Sequence, residues 1–330
     1  MKNILITGGA GYIGSHTVKE LLKTEYKPII YDNLTTGHPE AVLGGVLIKG
    51  DLKDKQKLEE VFKKYQPKAV IHFAALIEVG ESMDKPELYF QENVFNSLNL
   101  LEIMIKNNVL KIVFSSSAAV YGEPKKIPIT ENVPTIPTNV YGLTKLQFEQ
   151  FLGLYEKIYG LKYISLRYFN AAGADSKGEI GEDHCPETHL IPLVLQVALK
   201  KRPYIEIYGT NYPTPDGTCI RDFVHVTDLA QAHILALKKL LQKGKSGIYN
   251  LGHERGVSVK EVIDIAQKIT HKKIPIKKGP KRLGDPAILV ASSKKAREEL
   301  GWKPRYSDIR TIIQTAWRWH KNYPNGFAQK

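Results

Sequence analysis

A glycine-rich turn near the start of the chain most constrains how it can fold. Gly8, Gly11 and Gly14 follow the apolar run Ile4-Leu5-Ile6, and a helical pattern covers residues 14–24. The first glycine of such a turn permits a sharp bend, the second lets the backbone approach a ligand, and the third lets the helix pack closely on the strand. Because the helix then begins with unpaired N–H groups and the positive end of its dipole, we expect a phosphate group to bind there.

The segments that follow alternate between β-rich apolar runs and helical patterns, which is typical of a parallel sheet built from βαβ units. Runs such as Val70-Ile71-His72-Phe73 suit strands that helices cover on both faces. We therefore predict an α/β fold with a doubly wound parallel sheet of Rossmann type. The predicted strands cover residues 3–7, 28–32, 46–50, 69–73, 111–115, 163–167 and 247–251, and the predicted helices cover residues 14–24, 54–65, 86–107, 140–159, 227–242, 258–270, 292–300 and 308–322.

Composition and charge exclude several classes of protein. The 330 residues are 42% hydrophobic and 25% charged, which is ordinary for a globular protein, and no apolar run approaches the ~20 residues that span a membrane. Cys185 and Cys219 are too few for a disulfide framework or a four-ligand cysteine site, so we expect a reduced cytoplasmic protein without a metal. The net charge of +13 is concentrated in residues 271–310. It is not accompanied by a zinc-finger spacing or by a basic region with heptads, so we expect no nucleic-acid partner.

An acidic residue at the end of the second predicted strand indicates which ligand the glycine-rich turn binds. Asp32 lies about 20 residues after Gly14, where a carboxylate can bind the ribose hydroxyls of a dinucleotide and repels a 2′-phosphate. The residues after Asp32 include no nearby arginine that would bind this phosphate, so the sequence favours NAD over NADP. Asp51-Leu52 and Phe73-Ala74-Ala75, which end the next two strands, are expected to contact the adenine and the middle of the cofactor.

Serines at the end of the fifth strand and a Tyr–Lys pair on the next helix form the predicted catalytic group. Ser115, Ser116 and Ser117 lie at the edge of the sheet where ligands gather, and periodicity does not choose among them. Tyr141 and Lys145 lie one turn apart on the same face of their helix. An ammonium group placed there favours the phenolate of the tyrosine, which can then take a proton from a sugar or alcohol hydroxyl.

These motifs resemble those of the extended short-chain dehydrogenase/reductases, and within that family the enzymes that invert carbon 4 of UDP-hexoses. The resemblance covers essentially the whole chain. The matching segments are Gly8–Gly14, Asp32-Asn33-Leu34, Phe73-Ala74-Ala75, Val79–Ser82, Ser115–Gly122, Tyr141–Lys145, Arg167–Asn170, Tyr212–Thr218, Arg221-Asp222 and Arg282–Asp285. The resemblance implies an isomerase that interconverts UDP-galactose and UDP-glucose in galactose metabolism through a transient 4-keto sugar, with NAD as its cofactor.

The resemblance also implies roles for individual residues. Ser117, Tyr141 and Lys145 would be catalytic: Tyr141 removes the proton of the sugar's 4-hydroxyl, Ser117 hydrogen-bonds the same oxygen, and Lys145 binds the nicotinamide ribose and lowers the pKa of the tyrosine. The implied NAD contacts are Gly8, Gly11, Tyr12, Ile13, Gly14, Asp32, Asn33, Leu34, Thr35, Thr36, Gly37, Asp51, Leu52, Phe73, Ala74, Ala75, Leu76, Ile77, Tyr141, Lys145 and Phe169. The implied UDP-sugar contacts are Ser117, Tyr141, Asn170, His189, Leu190, Glu206, Ile207, Tyr208, Arg221, Arg282, Asp285 and Leu289.

Three positions depart from the pattern of the family. Ile77 stands where many members carry a lysine near the nicotinamide, and His189 replaces an asparagine that some members have in the substrate site. Leu289 aligns with a tyrosine that restricts some members to plain hexoses. Because leucine is smaller than tyrosine, we hypothesise that UDP-N-acetylhexosamines are also accepted.

Other proteins that bind NAD or sugar nucleotides share part of this pattern. A 4,6-dehydratase needs an acid–base pair beside the catalytic serine, often Asp-Glu, and Ala118-Ala119 in this chain does not supply one. A UDP-pentose or UDP-glucuronate 4-epimerase is an open alternative, because the shape of the pocket decides between these substrates. A non-catalytic NAD-sensing regulator, the alternative from another class, could dispense with the Tyr–Lys pair that this chain keeps.

The motifs divide the chain into two regions. We predict that residues 1–170 form the NAD-binding domain, with residues 222–252 returning to it, and that residues 171–221 and 253–330 form the smaller UDP-sugar-binding region. The resemblance also implies a homodimer that forms through helices 86–107 and 140–159. The expected partners are therefore a small-molecule UDP-sugar and a second copy of the chain.

Overall fold

The computed structural model describes residues 1–242, 244–281, 286–306 and 308–328. Within these ranges the strands are β1 (Lys2–Thr7), β2 (Tyr26–Asp32), β3 (Val46–Lys49), β4 (Ala69–His72), β5 (Lys111–Ser117), β6 (Lys162–Tyr168), β7 (Asn170–Ala172), β8 (Ile205–Tyr208), β9 (Ile220–Arg221), β10 (Phe223–His225), β11 (Gly247–Leu251), β12 (Val257–Ser258), β13 (Ile276–Gly279) and β14 (Ile288–Leu289). The helices are α1 (Tyr12–Leu21), α2 (Lys55–Tyr65), α3 (Val79–Asp84), α4 (Pro86–Phe90), α5 (Asn96–Lys106), α6 (Val140–Tyr159), α7 (Leu190–Ala198), α8 (Val226–Leu241), α9 (Val259–Thr270), α10 (Lys294–Leu300) and α11 (Ile309–Asn322).

The main sheet is parallel and has seven strands in the order β11-β6-β5-β4-β1-β2-β3. β2 and β3 follow on one side of β1, whereas β4, β5 and β6 follow on the other side. In sheets of this kind a ligand binds in the crevice where the strand order changes sides, here between β1 and β4. The predicted doubly wound, Rossmann-type α/β fold is therefore confirmed. The predicted return of residues 247–251 to this sheet is also confirmed, because β11 pairs in parallel with β6.

Both faces of the main sheet are buried, which explains the near-continuous apolar strands. In β1, Ile4 and Ile6 pack into one core with α1 and α8, whereas Leu5 packs into a second core with α2, α5 and α6. All three side chains are fully buried. A strand covered on both faces needs an apolar residue at every position, so period-two alternation is absent from β1.

The helix predicted over residues 86–107 is interrupted. A π turn, Gln91–Phe95, separates α4 from α5. The extra residue in this turn accommodates Asn93, whose side-chain amide accepts a hydrogen bond from the Leu76 N–H at 2.7 Å and donates one to the Leu76 carbonyl at 3.0 Å. The π turn thus ties the long helix to the segment that follows β4, at the ligand edge of the sheet.

Smaller sheets form in the second half of the chain. β8 pairs with β13, β7 pairs with β10, and β9 lies between β12 and β14. The helices α7, α9 and α11 share a separate apolar core next to these strands. Among the described helices, α3 and α7 were not predicted. The division into an NAD-binding and a UDP-sugar-binding region stays a prediction.

None of the helices in the described ranges combines the length and the hydropathy that crossing a membrane requires.

A buried group of polar side chains holds α6 against the sheet. The Glu149 carboxylate of α6 accepts hydrogen bonds from Ser116 Oγ at 2.6 Å and from Arg167 Nε at 2.9 Å, and it makes a second contact with the Arg167 guanidinium. Arg167 Nη1 also donates to the Tyr121 hydroxyl at 3.0 Å, and this hydroxyl donates to Asn250 Oδ1 at 2.7 Å. Glu149 and Arg167 are 4% exposed, so each charge depends on the other.

Replacement of Glu149 by glutamine should therefore be strongly destabilising. The change keeps the shape of the side chain but leaves the buried Arg167 guanidinium without its counter-charge, which costs about 3–5 kcal/mol. Urea unfolding followed by tryptophan fluorescence measures the loss in the free energy of unfolding.

The matched control for Glu149→Gln is Glu102→Gln, because Glu102 forms an exposed ion pair with Lys55. Exposed pairs contribute less than about 1 kcal/mol, so the control should unfold close to the unmodified protein. Equal losses of stability in the two variants would contradict the structural role assigned to the buried pair.

Candidate active site

The glycine-rich turn leaves space that side chains would fill. Gly8 has a φ of +71°, its N–H donates to the Tyr31 carbonyl at 3.0 Å, and a Cβ atom at this position would lie 2.5 Å from the Ala74 nitrogen. A Cβ atom at Gly14 would lie 2.2 Å from the Gly8 carbonyl oxygen. Gly11 precedes α1 and has no side chain to cap it, so the first N–H groups of this helix are left for a phosphate. This cradle fits the pyrophosphate of a dinucleotide.

Asp32 connects the glycine-rich turn to the loop after β2. Its carboxylate accepts hydrogen bonds from the N–H of Ala10 and from the N–H of Leu34, both at 2.9 Å. Burial raises the pKa of Asp32, and these two backbone hydrogen bonds oppose that rise. Gly37 also lies close to this carboxylate, since a Cβ atom at Gly37 would lie 3.0 Å from Asp32 Oδ1. The Asp32 carboxylate therefore joins the glycine-rich turn to the loop after β2, and both contain predicted cofactor residues.

The other predicted cofactor segments lie along the same edge of the sheet. After β4, the N–H groups of Phe73 and Ala74 both donate to the Thr7 carbonyl, at 2.9 and 3.1 Å. After β3, Asp51 Oδ2 accepts a hydrogen bond from Asn33 Nδ2 at 3.1 Å. Ile77 is 38% exposed and lies beyond the Leu76 backbone that Asn93 holds.

The structure distinguishes among the three serines that end β5. Ser115 is buried against the Tyr168 hydroxyl, and Ser116 is buried against Glu149. Ser117 is half-buried, caps the next turn by accepting from the Ala119 N–H at 3.1 Å, and lies close enough to the Tyr141 hydroxyl to lower its pKa. Ser117 is therefore the serine of the three that is placed to act with Tyr141.

Tyr141 is positioned by the first turn of α6. Asn139 caps this helix by accepting a hydrogen bond from the Gly142 N–H at 2.8 Å, and the Tyr141 N–H donates to Ser82 Oγ at 3.1 Å. Gly142 is required here because a Cβ atom would lie 2.5 Å from the Ala119 carbonyl oxygen. The start of α6 can therefore lie directly against the turn that follows Ser117.

Lys145 lies under Tyr141 in the interior of the protein. The side chain is 3% exposed, its Nζ donates to the Ser115 carbonyl at 2.9 Å, and Nζ lies 5.8 Å from the centroid of the Tyr141 ring. Burial lowers the pKa of Lys145 to about 7, against the opposing charge of Glu149.

Burial dominates the pKa of Tyr141. It raises this pKa above the ordinary value, the hydrogen bond with Ser117 lowers it, and the charge of Glu78 raises it. The lowering of the tyrosine pKa by Lys145 that we expected does not appear in this structure, and it stays a prediction for the complete complex.

Some of the predicted sugar-nucleotide residues lie near this group. Leu289 of β14 pairs with Arg221 of β9, and Leu289 packs on the apolar cluster that contains Ala118 and Phe169. Asn170 is exposed at the start of β7, and its N–H donates to the Asp222 carbonyl at 3.0 Å. Leu289 and Arg221 are thus brought to the side of the turn that begins at Ser117.

Other predicted substrate residues have different surroundings. Glu206 lies 3.7 Å from the Lys277 ammonium, Ile207 is 4% exposed, and Tyr208 ends β8 at the surface. His189 precedes Leu190 at the start of α7, and its imidazole contacts the carboxylates of Glu182 and Glu187. Arg282 and Asp285 lie outside the described residues.

Two polar residues that support the site were not predicted from the sequence. Asn93 holds the backbone of Leu76, and Ser82 holds the backbone of Tyr141. Ser82 belongs to a segment that matches the family, so a signal for it was present. Asn93 gave no signal, because its function depends on a π turn that periodicity does not reveal.

The chain matches a model of the NAD dependent epimerase/dehydratase family over residues 4–252. It is 52% identical to the UDP-glucose 4-epimerase of Halalkalibacterium halodurans over 98% of this chain and 97% of that protein. Its structure is similar to that of the UDP-glucose 4-epimerase from Brucella ovis in complex with NAD, with a TM-score of 0.94, 47% identity and coverage of 96% of this chain and 98% of the other.

A further solved structure is the UDP-glucose 4-epimerase from Bifidobacterium longum in complex with NAD⁺ and UDP. Its TM-score is 0.93 at 40% identity, and the match covers 99% of this chain and 100% of the other. These similarities confirm the relationship that the sequence motifs predicted. The chain belongs to the NAD dependent epimerase/dehydratase family.

Proposed function

We propose that this protein interconverts UDP-galactose and UDP-glucose by inverting carbon 4 of the hexose, with NAD as its bound cofactor. The observation that carries the proposal is the group of Ser117, Tyr141 and Lys145, which lies at the ligand edge of the sheet. The relatives named UDP-glucose 4-epimerase support the hexose over the pentose and glucuronate alternatives.

The residues of the glycine-rich turn and of the loop after β2 fit the cofactor. The N–H groups at the start of α1 would hold its pyrophosphate, and the buried Asp32 carboxylate disfavours a 2′-phosphate, as NAD requires. When bound, NAD would supply the reversible hydride transfer at carbon 4 that inversion requires. The chain itself supplies acid–base chemistry and binding.

Tyr141 is the proposed base. As a phenolate it would remove the proton from the 4-hydroxyl of the sugar and later return it to the oxygen of the inverted product. Ser117 hydrogen-bonds Tyr141 and can pass this proton between the sugar oxygen and the phenolate. Lys145 is the cation that the chain places beside the tyrosine, and an ammonium at that distance stabilises the phenolate relative to the phenol.

We also propose that UDP-N-acetylhexosamines are substrates. An N-acetyl group needs room beside the sugar, and Leu289 lies next to Arg221, whose guanidinium suits the charge of a diphosphate. Leu289 packs on the cluster of Ala118 and Phe169, which adjoins Ser117. A side chain at position 289 can therefore reach the space where the hexose must lie.

We also propose that the protein is a homodimer and that it is cytoplasmic. Phe95, at the end of the π turn, and Leu154, Ile158 and Tyr159, at the end of α6, are each about half exposed. Exposed apolar side chains grouped on neighbouring helices are typical of surfaces that pair with another chain. The chain carries two cysteines, Cys185 and Cys219, and such a low cysteine content agrees with a reducing compartment.

Purified protein with added NAD is expected to convert UDP-galactose to UDP-glucose, because its own residues complete the acid–base group. Chromatography of the nucleotide sugars after incubation measures the conversion. Absence of UDP-glucose at high enzyme concentration rejects the proposed activity.

Tyr141→Phe should lower kcat by at least about 100-fold, because it removes the phenolic oxygen that is proposed to take the proton of the 4-hydroxyl. The rate of conversion of UDP-galactose is the measurement, and the circular dichroism spectrum checks the fold. Tyr155→Phe is the matched control, since Tyr155 lies further along α6 and its ring contacts Tyr159. Wild-type turnover by the Tyr141 variant would eliminate this residue as the base.

Leu289→Tyr should lower kcat/KM for UDP-N-acetylgalactosamine by about 10-fold or more and change kcat/KM for UDP-galactose much less. The tyrosine ring would occupy the space that an N-acetyl group needs. Because this clash affects the N-acetylated substrate and not UDP-galactose, it changes the specificity. Parallel assays with the two substrates give the ratio. Equal losses for both substrates, or a wild-type protein that does not convert the N-acetylated sugar, would contradict the proposal.

Ile158→Glu should convert the proposed dimer to a monomer, because a charge at a buried apolar contact is left without a partner. Gel filtration with light scattering measures the mass in solution. Leu43→Glu is the control. Leu43 is 44% exposed and lies in the segment before β3, which is the edge strand at the end of the sheet away from β6. If the Ile158→Glu variant is still a dimer, or if the wild-type protein is a monomer, the proposed interface at this end of α6 is wrong.

A further inference from the structure

Four side chains with atoms that bind metals converge in the segment before α7. They are Glu182, His184, Glu187 and His189, and one ligand atom from each lies within 4.8 Å of all the others. Two are imidazole nitrogens and two are carboxylate oxygens. The prediction that the protein has no metal rested on its two cysteines, and the spacing of these Glu and His residues carries no zinc-finger pattern.

The distances between the ligand atoms suit a tetrahedral site. His189 Nδ1 lies 2.9 Å from Glu182 Oε1 and 3.2 Å from Glu187 Oε1. His184 Nδ1 lies 3.4 Å from Glu182 Oε1 and 3.9 Å from Glu187 Oε2. In a tetrahedral zinc site with bonds of about 2.0–2.2 Å, neighbouring ligand atoms lie about 3.3–3.6 Å apart. A Zn²⁺ ion therefore requires only small shifts of these side chains.

One atom of the group has no hydrogen bond to explain its burial. His184 Nδ1 is buried and makes no hydrogen bond within the described part of the chain, although it lies near two carboxylates. A buried imidazole nitrogen normally has a partner, and a metal ion is one such partner. Glu182 is 4% exposed, and two carboxylates brought together in this way attract a cation.

Residues outside this group of four side chains fix the backbone that carries it. The Trp319 indole N–H donates to the Glu182 carbonyl at 3.0 Å, and a Cβ atom at Gly181 would lie 2.2 Å from the Trp319 ring. Thr188 Oγ1 donates to Glu78 Oε2 at 2.8 Å, in the segment that follows the predicted cofactor contacts. The ligands therefore project from a segment whose position other elements already determine, as a preformed metal site requires.

We propose that Glu182, His184, Glu187 and His189 bind one Zn²⁺ ion. Imidazole and carboxylate ligands suit zinc better than calcium or magnesium, which take oxygen ligands. Four protein ligands fill a tetrahedral ion, so this site is structural and leaves no position for a substrate. Bound zinc would hold the segment between β7 and α7 in place. In this site His189 is a ligand of the metal, and its imidazole does not bind the sugar nucleotide.

The test is a binding measurement on the full chain that does not depend on the proposed epimerase activity. Protein dialysed against EDTA and then against metal-free buffer is titrated with Zn²⁺ by calorimetry, and retained zinc is counted by elemental analysis. Co²⁺ is titrated in parallel, because a tetrahedral Co²⁺ site has a strong visible absorption. We expect one Zn²⁺ per chain, the tetrahedral Co²⁺ spectrum, and a higher thermal midpoint with zinc.

Two variants and one control assign the ligands. His184→Asn and Glu187→Gln should each weaken Zn²⁺ binding by at least about 100-fold, whereas His271→Asn, at an exposed position at the end of α9, should bind as the wild type does. Circular dichroism and gel filtration confirm that each variant is folded.

A wild-type chain that retains no zinc and gives no tetrahedral Co²⁺ spectrum overturns the proposal. Zinc binding that persists unchanged in both ligand variants overturns it as well, because the metal is then held elsewhere. If both variants fail to fold, the absence of a tetrahedral Co²⁺ spectrum in the unmodified protein still overturns the proposal.

Discussion

The site depends on the buried Glu149 carboxylate. This one group binds Ser116 of β5 and Arg167 of β6, and it projects from α6 one helical turn after Lys145. The two strands and the helix are therefore fixed relative to one another below the point where Ser117 and Tyr141 meet. An apolar contact would hold the helix equally close but would allow it to rotate or slide. Charged hydrogen bonds of defined geometry restrict both movements, which suits a site that must place a proton acceptor accurately.

The same burial that fixes the site opposes its chemistry. A phenolate and an ammonium are both disfavoured away from water, and the structure raises the pKa of Tyr141 and lowers that of Lys145. We expect each charge to become favourable in the complete complex only in the presence of the other. The pair would then act as one ionisable unit that passes between a neutral and a doubly charged state. Ligands that bring further charge into the cleft decide which state prevails.

Local signals in the sequence predicted the architecture and the centre of the site. Glycines 8 and 14 could be recognised from the sequence alone, because close backbone contacts leave no room for a side chain at these positions. Periodicity did not separate Ser117 from Ser115, since all three serines end the same strand; the resemblance to the family implied Ser117, and tertiary contacts distinguish the three in the structure. The surroundings of His189 were missed because its partners depend on how the loop before α7 folds. Strands of two residues, such as β9 and β14, are too short for any alternation to show.

The position of β11 has a consequence for how the chain acquires its fold. β6 ends at Tyr168 and its neighbour β11 begins at Gly247, so α7, β8 and α8 must all be synthesised before the sheet receives its last strand. Pairing between such distant segments is slow, because a long loop must close first. Until then one edge of β6 has unpaired backbone groups that can bind a strand of another chain. On the ribosome, the sheet therefore matures only after most of the chain has emerged.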